Sequence, residues 1–278
     1  NARSSQYAFI QDTWDISEQW QLTTGLRYDH YSDFGNTVNP RLALVWKPNE
    51  AWTAKLLYGR AFRAPAFFEL YNQNNPVALG NPSLIPETIE TTELAFNYHV
   101  TKNFNLGINL FQYKLTDAIR FIPDNQGNGQ AQNFGNQEGD GFELEAEWKV
   151  SDKFRLVGNY AFQNSTDNTG KQVANAPRSQ AYVRTDWQFI PKWHVNTQVN
   201  WVGERARTIG DSRPPVDGYT MVDLTLYGKL KNSLSIKASI RNLLDSNAYE
   251  PSLGPNYSIP YDLPLAGRNY YLELSYQF

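Results

Sequence analysis

The chain has 278 residues, a formal charge of −3 and no cysteine. That length suits one large domain or two small ones, the mild charge supplies no basic field for nucleic acid, and without cysteine neither a disulfide framework nor a thiolate metal site is available. Aromatic residues make up 14% of the sequence, with 17 Tyr, 15 Phe and 8 Trp against a single Met, yet the mean hydropathy is −0.58. No run of about 18 apolar residues exists, which excludes a transmembrane helix. A membrane β-barrel reconciles aromatic richness with polarity, because alternate residues face lipid and the others face a polar lumen. Export to such a membrane demands a signal peptide. Asn1 instead opens on polar sequence that runs straight into a strand-like segment, so the chain is expected to be a piece of a longer product.

Period-2 alternation predicts roughly 13 strands. In chain order they fall at about 6–15, 20–31, 38–47, 51–60, 87–98, 104–121, 134–150, 154–166, 177–189, 193–206, 217–230, 234–243 and 266–278. In 141–150, Phe142, Leu144, Ala146, Trp148 and Val150 alternate with Glu143, Glu145, Glu147 and Lys149. Several of these strands exceed the usual globular length and match the ~9–11 residues that a tilted strand needs to cross hydrocarbon. No segment carries a helical period.

Short turns are expected at Ile16–Gln19, Pro48–Glu50, His99–Asn103, Ser151–Lys153, Ile190–Lys192 and Lys231–Ser233. Longer polar loops alternate with them at about 61–86, 122–133, 167–176, 207–216 and 244–265. Short periplasmic turns and long outer loops are the asymmetry of outer-membrane barrels. Trp14, Trp20, Trp46, Trp52, Trp148, Trp187 and Trp193 all lie beside short turns. Indole prefers the headgroup layer, so these residues predict an aromatic girdle at one rim. Bacterial barrels use even strand numbers, and a chain of about 13 strands that ends on a downward strand is therefore expected to be preceded by others.

Chemistry-bearing clusters are sparse. His30, His99 and His194 are scattered, so neither a Ser–His–Asp arrangement nor a histidine metal site is expected; no catalytic residue, metal or cofactor is predicted. Glu143, Glu145 and Glu147 read as lumen polarity. The runs Asp124–Gly129 and Asp167–Gly170 lack the closing bidentate Glu of a calcium loop and read as loop tips.

The stretch 58–94 is more specific. Tyr58-Gly59-Arg60-Ala61-Phe62-Arg63-Ala64-Pro65 is followed by Glu69-Leu70-Tyr71, then Gly80-Asn81-Pro82-Ser83-Leu84, Pro86-Glu87 and Glu93-Leu94. Gly25-Leu26-Arg27-Tyr28-Asp29, Asn39-Pro40-Arg41-Leu42-Ala43, Arg241-Asn242-Leu243-Leu244-Asp245 and Gly267-Arg268 accompany it. In these motifs and their order the chain resembles the TonB-dependent receptor family, over almost its whole length. The resemblance implies an all-β, antiparallel transmembrane barrel of about 22 strands, of which this chain would supply roughly the last 13, without the N-terminal plug. It implies a Gram-negative outer-membrane transport protein, not an enzyme, driven by TonB–ExbB–ExbD through that plug. A terminal aromatic pattern, Tyr276 and Phe278, would be read by the barrel-assembly machinery. Cargo would be a scarce chelate, with ferric siderophores the commonest in the family and vitamin B12 or heme as alternatives. Some heme receptors carry a histidine between the two boxes, whereas residues 66–80 contain none. A passive porin remains the rival reading from barrel physics alone.

Loop residues that a ligand would meet are Arg63, Phe67, Phe68 and Tyr71, then Arg205, Arg207 and Arg213, then Tyr249, Tyr257 and Tyr261. Aromatic faces can hold a flat chelator and Arg can pair with an anionic complex. The same residues could instead pack the loops together, and for Arg63 pairing with lumen carboxylates is the favoured expectation.

Overall fold

A computed structural model describes residues 2–75, 78–123, 128–208, 211–252 and 261–277. The elements are β1 (Ser5–Ser17), β2 (Trp20–Tyr31), β3 (Gly35–Asn49), β4 (Trp52–Arg63), the helix α1 (Phe67–Tyr71), β5 (Glu87–Thr101), β6 (Phe104–Thr116), β7 (Ile119–Pro123), β8 (Gly129–Asn133), β9 (Gln137–Ser151), β10 (Phe154–Asp167), β11 (Ser179–Ile190), β12 (Trp193–Val202), β13 (Tyr219–Lys231), β14 (Leu234–Arg241), β15 (Tyr249–Glu250), β16 (Leu263–Pro264) and β17 (Asn269–Tyr276). Thirteen of these strands form one sheet in the order β1-β2-β3-β4-β5-β6-β9-β10-β11-β12-β13-β14-β17, the predicted number. The sheet is not closed: β1 and β17 are its edges. Two small hairpins, β7–β8 and β15–β16, stand outside it.

The chain divides into two compact units, one of residues 1–96, 109–140 and 165–171, the other of 97–108, 141–164 and 172–278. In the first, the antiparallel registers put Ile10, Leu26 and Pro40 in one row and Leu22, Leu44 and Leu56 in another. The opposite face is polar, with Thr13 bonded to Thr23 at 3.1 Å and Gln21 donating to Asp15 at 2.8 Å. In the second, Trp187, Val195, Leu226, Ala238 and Leu272 form one row. Asp186, Asn196, Thr225 and Ser239 form the adjacent polar one, tied by Asn196 to Asp186 at 2.7 Å and by Thr225 to Ser239 at 2.9 Å. The apolar rows are the exposed ones: Leu26 is 48% exposed, Val38 47%, Trp187 49% and Leu272 69%. A water-facing sheet does not present contiguous apolar surface on this scale, whereas lipid takes it up on the outer face of a barrel.

Six two-residue hairpin turns join β1–β2, β3–β4, β5–β6, β9–β10, β11–β12 and β13–β14. Four share one device, a short polar side chain at the last strand residue that accepts an amide two positions on. Ser17 takes the Gln19 N–H at 3.3 Å, Asn49 that of Ala51 at 2.9 Å, Thr101 that of Asn103 at 3.2 Å and Ser151 that of Lys153 at 3.2 Å. The tryptophans cluster at these ends: Trp20 and Trp46 are register partners, stacked at 5.6 Å, and Phe104 lies 5.9 Å from Trp148.

Three of the differences from the sequence expectation lie between β4 and β9. The segment 104–121 is not one strand, because Asp117 takes a left-handed φ of 58° and the chain leaves the sheet. Residues 122, 123 and 129–133, expected as loop, belong to the paired strands β7 and β8. Between the Arg-Ala-Pro and Asn-Pro boxes lies a five-residue helix, too short to show a period in the sequence.

Candidate functional site

The segment from Arg63 to Glu87 is organised around one guanidinium. Arg63 donates through Nε and Nη2 to the Glu87 carboxylate at 2.6 and 2.8 Å, and through Nη1 and Nη2 to the Glu69 carboxylate, both at 3.0 Å. Each carboxylate holds the backbone as well. Glu69 accepts the Ala66 N–H at 2.7 Å, capping the first turn of α1, and Glu87 accepts the Ile119 N–H at 2.6 Å, tying the start of β5 to the β7–β8 hairpin. Paired forks of this kind are the strongest hydrogen bonds available to side chains.

Below the ion triad lies a small core of Leu70, Leu84 and Ala131, exposed by 2% or less, with Tyr71 and Ile119 packed on it. Leu79 bridges to Gln130 in parallel fashion, and Asn133 donates to the carbonyls of Ile85 and Asp117 at 2.8 and 2.7 Å. Asn81 closes the box by accepting the Ser83 N–H at 3.0 Å. Pro65 is fully buried, and its carbonyl accepts from Arg3 at 2.6 Å. Arg3 also pairs with Asp33 at 2.7 Å and lies 4.9 Å over the Phe67 ring. The boxes Phe62–Pro65, Glu69–Tyr71 and Asn81–Glu87 therefore fasten the loop to itself. What they present outward is aromatic: Phe67 is 46% exposed and Phe68 51%, the latter edge-on to Phe121 at 5.8 Å. Phe121 was not among the sequence candidates, because it reads there as the last residue of a long strand.

In the other unit the three predicted arginines are engaged by carboxylates. Arg205, 1% exposed, donates to Glu250 at 3.1 Å, to the carbonyls of Asp217 and Tyr249 at 3.0 and 2.9 Å, and lies 5.3 Å over the Tyr219 ring. Arg207 forks onto Asp262 at 2.8 and 2.6 Å. Arg213 pairs with Asp211 at 2.6 Å and with Ser252 at 3.0 Å. Hydrogen bonds from Arg213 hold Asp211 down at about 2, and those from Arg207 lower Asp262. Tyr249 and Tyr261 are exposed, Tyr261 at 79%; Tyr257 lies outside the described residues.

The structure thus brings Arg63, Phe67, Phe68 and Tyr71 together in one unit, and Arg205, Arg207, Arg213 and Tyr249 in the other. His30 and His99 each bond a neighbouring Asn at 2.6 Å. Among the described residues no group of three His, Cys, Asp or Glu is placed to hold a metal ion. Glu147 pairs with Arg155 at 2.8 Å. Asp167 organises a turn by accepting the Thr169 and Lys171 amides at 2.8 and 3.2 Å, while 124–127 lie outside the described residues. The terminal motif is described only through Tyr276, register partner of Leu234; Phe278 lies outside.

Comparison with known proteins agrees with this architecture. The model of the family described as "TonB dependent receptor-like, beta-barrel" matches residues 1–243. An iron-regulated outer membrane virulence protein of Vibrio cholerae is 25% identical over 99% of this chain and 45% of its own length. The vitamin B12 transporter BtuB of Vibrio cholerae is 27% identical over 100% of this chain and 43% of its own. The chain thus spans less than half the length of these curated relatives. Among solved structures, the siderophore receptor PirA from Acinetobacter baumannii superposes with a TM-score of 0.79 at 19% identity, covering 99% of this chain and 46% of that one. The likeness to that structure is one of fold. With the family model matched over most of its length and relatives named for the outer membrane, the chain belongs to the TonB-dependent receptor β-barrel family and to the Gram-negative outer membrane.

Proposed function

We propose that the whole protein is an active-transport receptor that imports a ferric siderophore, a chelate held by aromatic faces. The observation that carries the cargo reading is the split between charge and aromatics in the loops. Arg63, Arg205, Arg207 and Arg213 are each engaged by Glu69, Glu87, Glu250, Asp262 or Asp211. Phe67, Phe68, Phe121, Tyr249 and Tyr261 remain exposed. Such a surface suits a flat, aromatic chelator, whose rings stack on Phe and Tyr, better than a compact anion that needs free guanidinium. Binding outside would displace a plug, and TonB would supply the energy from the periplasm; this chain contributes wall and loops, and no chemical step.

Uptake by an iron-starved strain lacking its own receptor and carrying the full-length gene tests this. The panel is labelled ferric catecholates, ferric hydroxamates, heme and cobalamin, with and without TonB. Uptake of one ferric complex that vanishes without TonB, and weakens about thirtyfold in the Phe67→Ala/Phe68→Ala double variant, is expected; two stacking contacts of ~1 kcal/mol each give that factor. Cobalamin or heme uptake alone would remove the siderophore assignment, and TonB-independent entry would replace the receptor by an open channel.

A further inference from the structure

Arg3 lies two residues ahead of β1, a strand exposed along its whole length, yet its own side chain is only 19% exposed. Three aromatic rings shelter it. The guanidinium carbon stands 4.9 Å from the centre of the Phe67 ring, 5.2 Å from that of Phe34 and 5.8 Å from that of Tyr31. The sequence brings the last two together: Tyr31 and Phe34 bracket the β2–β3 turn, Gly35 closes it at a φ of 91°, and the two rings stack at 4.5 Å. Phe62, near the end of β4, meets the Tyr31 ring edge-on at 5.9 Å. Phe67 begins α1. One cation therefore touches the β2–β3 turn and the box loop at once, each through an aromatic face.

Hydrogen bonds fix the guanidinium in that place. Its Nε donates to Asp33 Oδ2 at 2.7 Å and its Nη2 to the Pro65 carbonyl at 2.6 Å. The Asp33 side chain is 7% exposed, its Oδ1 has no partner, and Arg3 supplies its only hydrogen bond among the described residues. A carboxylate buried to this degree is strongly destabilised without its cation, so Arg3 is held against the rings. The other exposed phenylalanine of α1 makes the contrast. Phe68 is 51% exposed, sits edge-on to Phe121 and has no cation over its ring among the described residues, whereas Phe67 is 46% exposed with Arg3 against it. A cation draws on the negative charge of a π face. The exposed part of Phe67 is therefore the more electron-poor of the two surfaces, and it favours an electron-rich ring as its stacking partner.

We propose that Arg3 is a specificity-determining positioning residue: held by Asp33 and Pro65, it fixes Phe67 and makes that ring select electron-rich chelator rings over electron-poor ones of the same shape. The inference rests on the reading of Phe67 as a cargo contact and adds what that contact prefers. The Asp33 carboxylate offsets part of the field of the cation, so the selection expected is modest, about threefold. An arginine that only fastened two segments together would act differently. Its loss would lower affinity for every ring alike.

The test uses the full-length receptor in mild detergent and two iron(III) tris-complexes of like shape and charge, those of 4-methylcatechol and 4-nitrocatechol. Binding is followed by titration calorimetry, and circular dichroism checks that each variant folds. The wild type is expected to favour the methyl complex. The double variant Arg3→Met/Asp33→Asn, which removes the cation without stranding its carboxylate, should lower that preference about threefold. Arg3→Lys, which keeps the charge but not the fork, should restore most of it. Phe67→Leu should weaken both complexes and abolish the preference. An unchanged ratio in the double variant, with both affinities lowered equally, would reduce Arg3 to a fastener and overturn the inference while leaving the cargo contact in place. Undiminished binding by Phe67→Leu, or no binding of either complex to the wild type, would overturn the cargo reading itself and the inference with it.

Discussion

A single methyl group at position 80 would collide with the peptide backbone of the helix before it. A Cβ built on Gly80 lies 2.6 Å from the amide nitrogens of Tyr71 and Asn72 and 2.7 Å from the Leu70 carbonyl carbon. Backbone atoms cannot swing aside as a flexible side chain can, so Gly80→Ala must push the Asn-Pro box away from α1. A cost of about 1–3 kcal/mol is expected, read as faster proteolysis between β4 and β5 with the wall intact. Asp211 offers a pH reading. Its folded value of about 2 lies below the 3.8 of an unperturbed Asp, so its contribution to loop stability is fully present above about pH 4 and lost as pH falls toward 2. Asp211→Asn should reproduce that loss at neutral pH, and faster tryptic cleavage after Arg207, which lies 3.9 Å from Asp211, would report it. The sequence showed these arginines and carboxylates but not their pairing, because partners 39 and 55 residues apart, Arg213 with Ser252 and Arg207 with Asp262, share no local pattern.

At the scale of elements, the loop between β4 and β5 behaves as a small folded unit, with its own core and one guanidinium at its hub. Arg63→Ala would leave Glu69 and Glu87 facing each other unpaired. Because the Arg63 side chain is 46% exposed, the cost is set at about 1–2 kcal/mol, below that of a buried pair. Hydrogen exchange should show the Ala66 and Ile119 amides losing protection while β2 and β3 keep theirs; unchanged protection would mean that the Leu70–Leu84 core suffices. The motif residues Phe62–Glu87 were visible in the sequence as a pattern, but their work was not. Alternation through Ile119 and Phe121 continues that of β6, so nothing in polarity marks where the chain leaves the sheet; Asp117, a residue type that tolerates left-handed backbone, was the available signal. The helix Phe67–Tyr71 is shorter than two turns and leaves no period to read.

For the whole molecule, the legible part was what repeats. Two faces of opposite polarity and six tight turns recur from end to end, and the strand count followed from them. The closing contacts did not repeat and had to be seen. Asn242, 2% exposed and left-handed at φ 49°, bonds Ser246 in both directions, at 3.0 and 2.9 Å, while Asp245 accepts the Arg268 N–H at 2.9 Å. Together they join the end of β14 to the start of β17. The tryptophans at the short-turn ends carry a consequence in optical terms. Trp14, Trp20, Trp46, Trp52, Trp148 and Trp187 are 37–49% exposed on their strands beside those turns, so the emission of the wall comes largely from one depth. In bilayers with brominated acyl chains, bromines near the headgroup should quench most of that emission and bromines at the bilayer centre little of it. Quenching spread evenly over depth would mean that the indoles form no rim. A protein with this distribution reports its own vertical position in a membrane without a label.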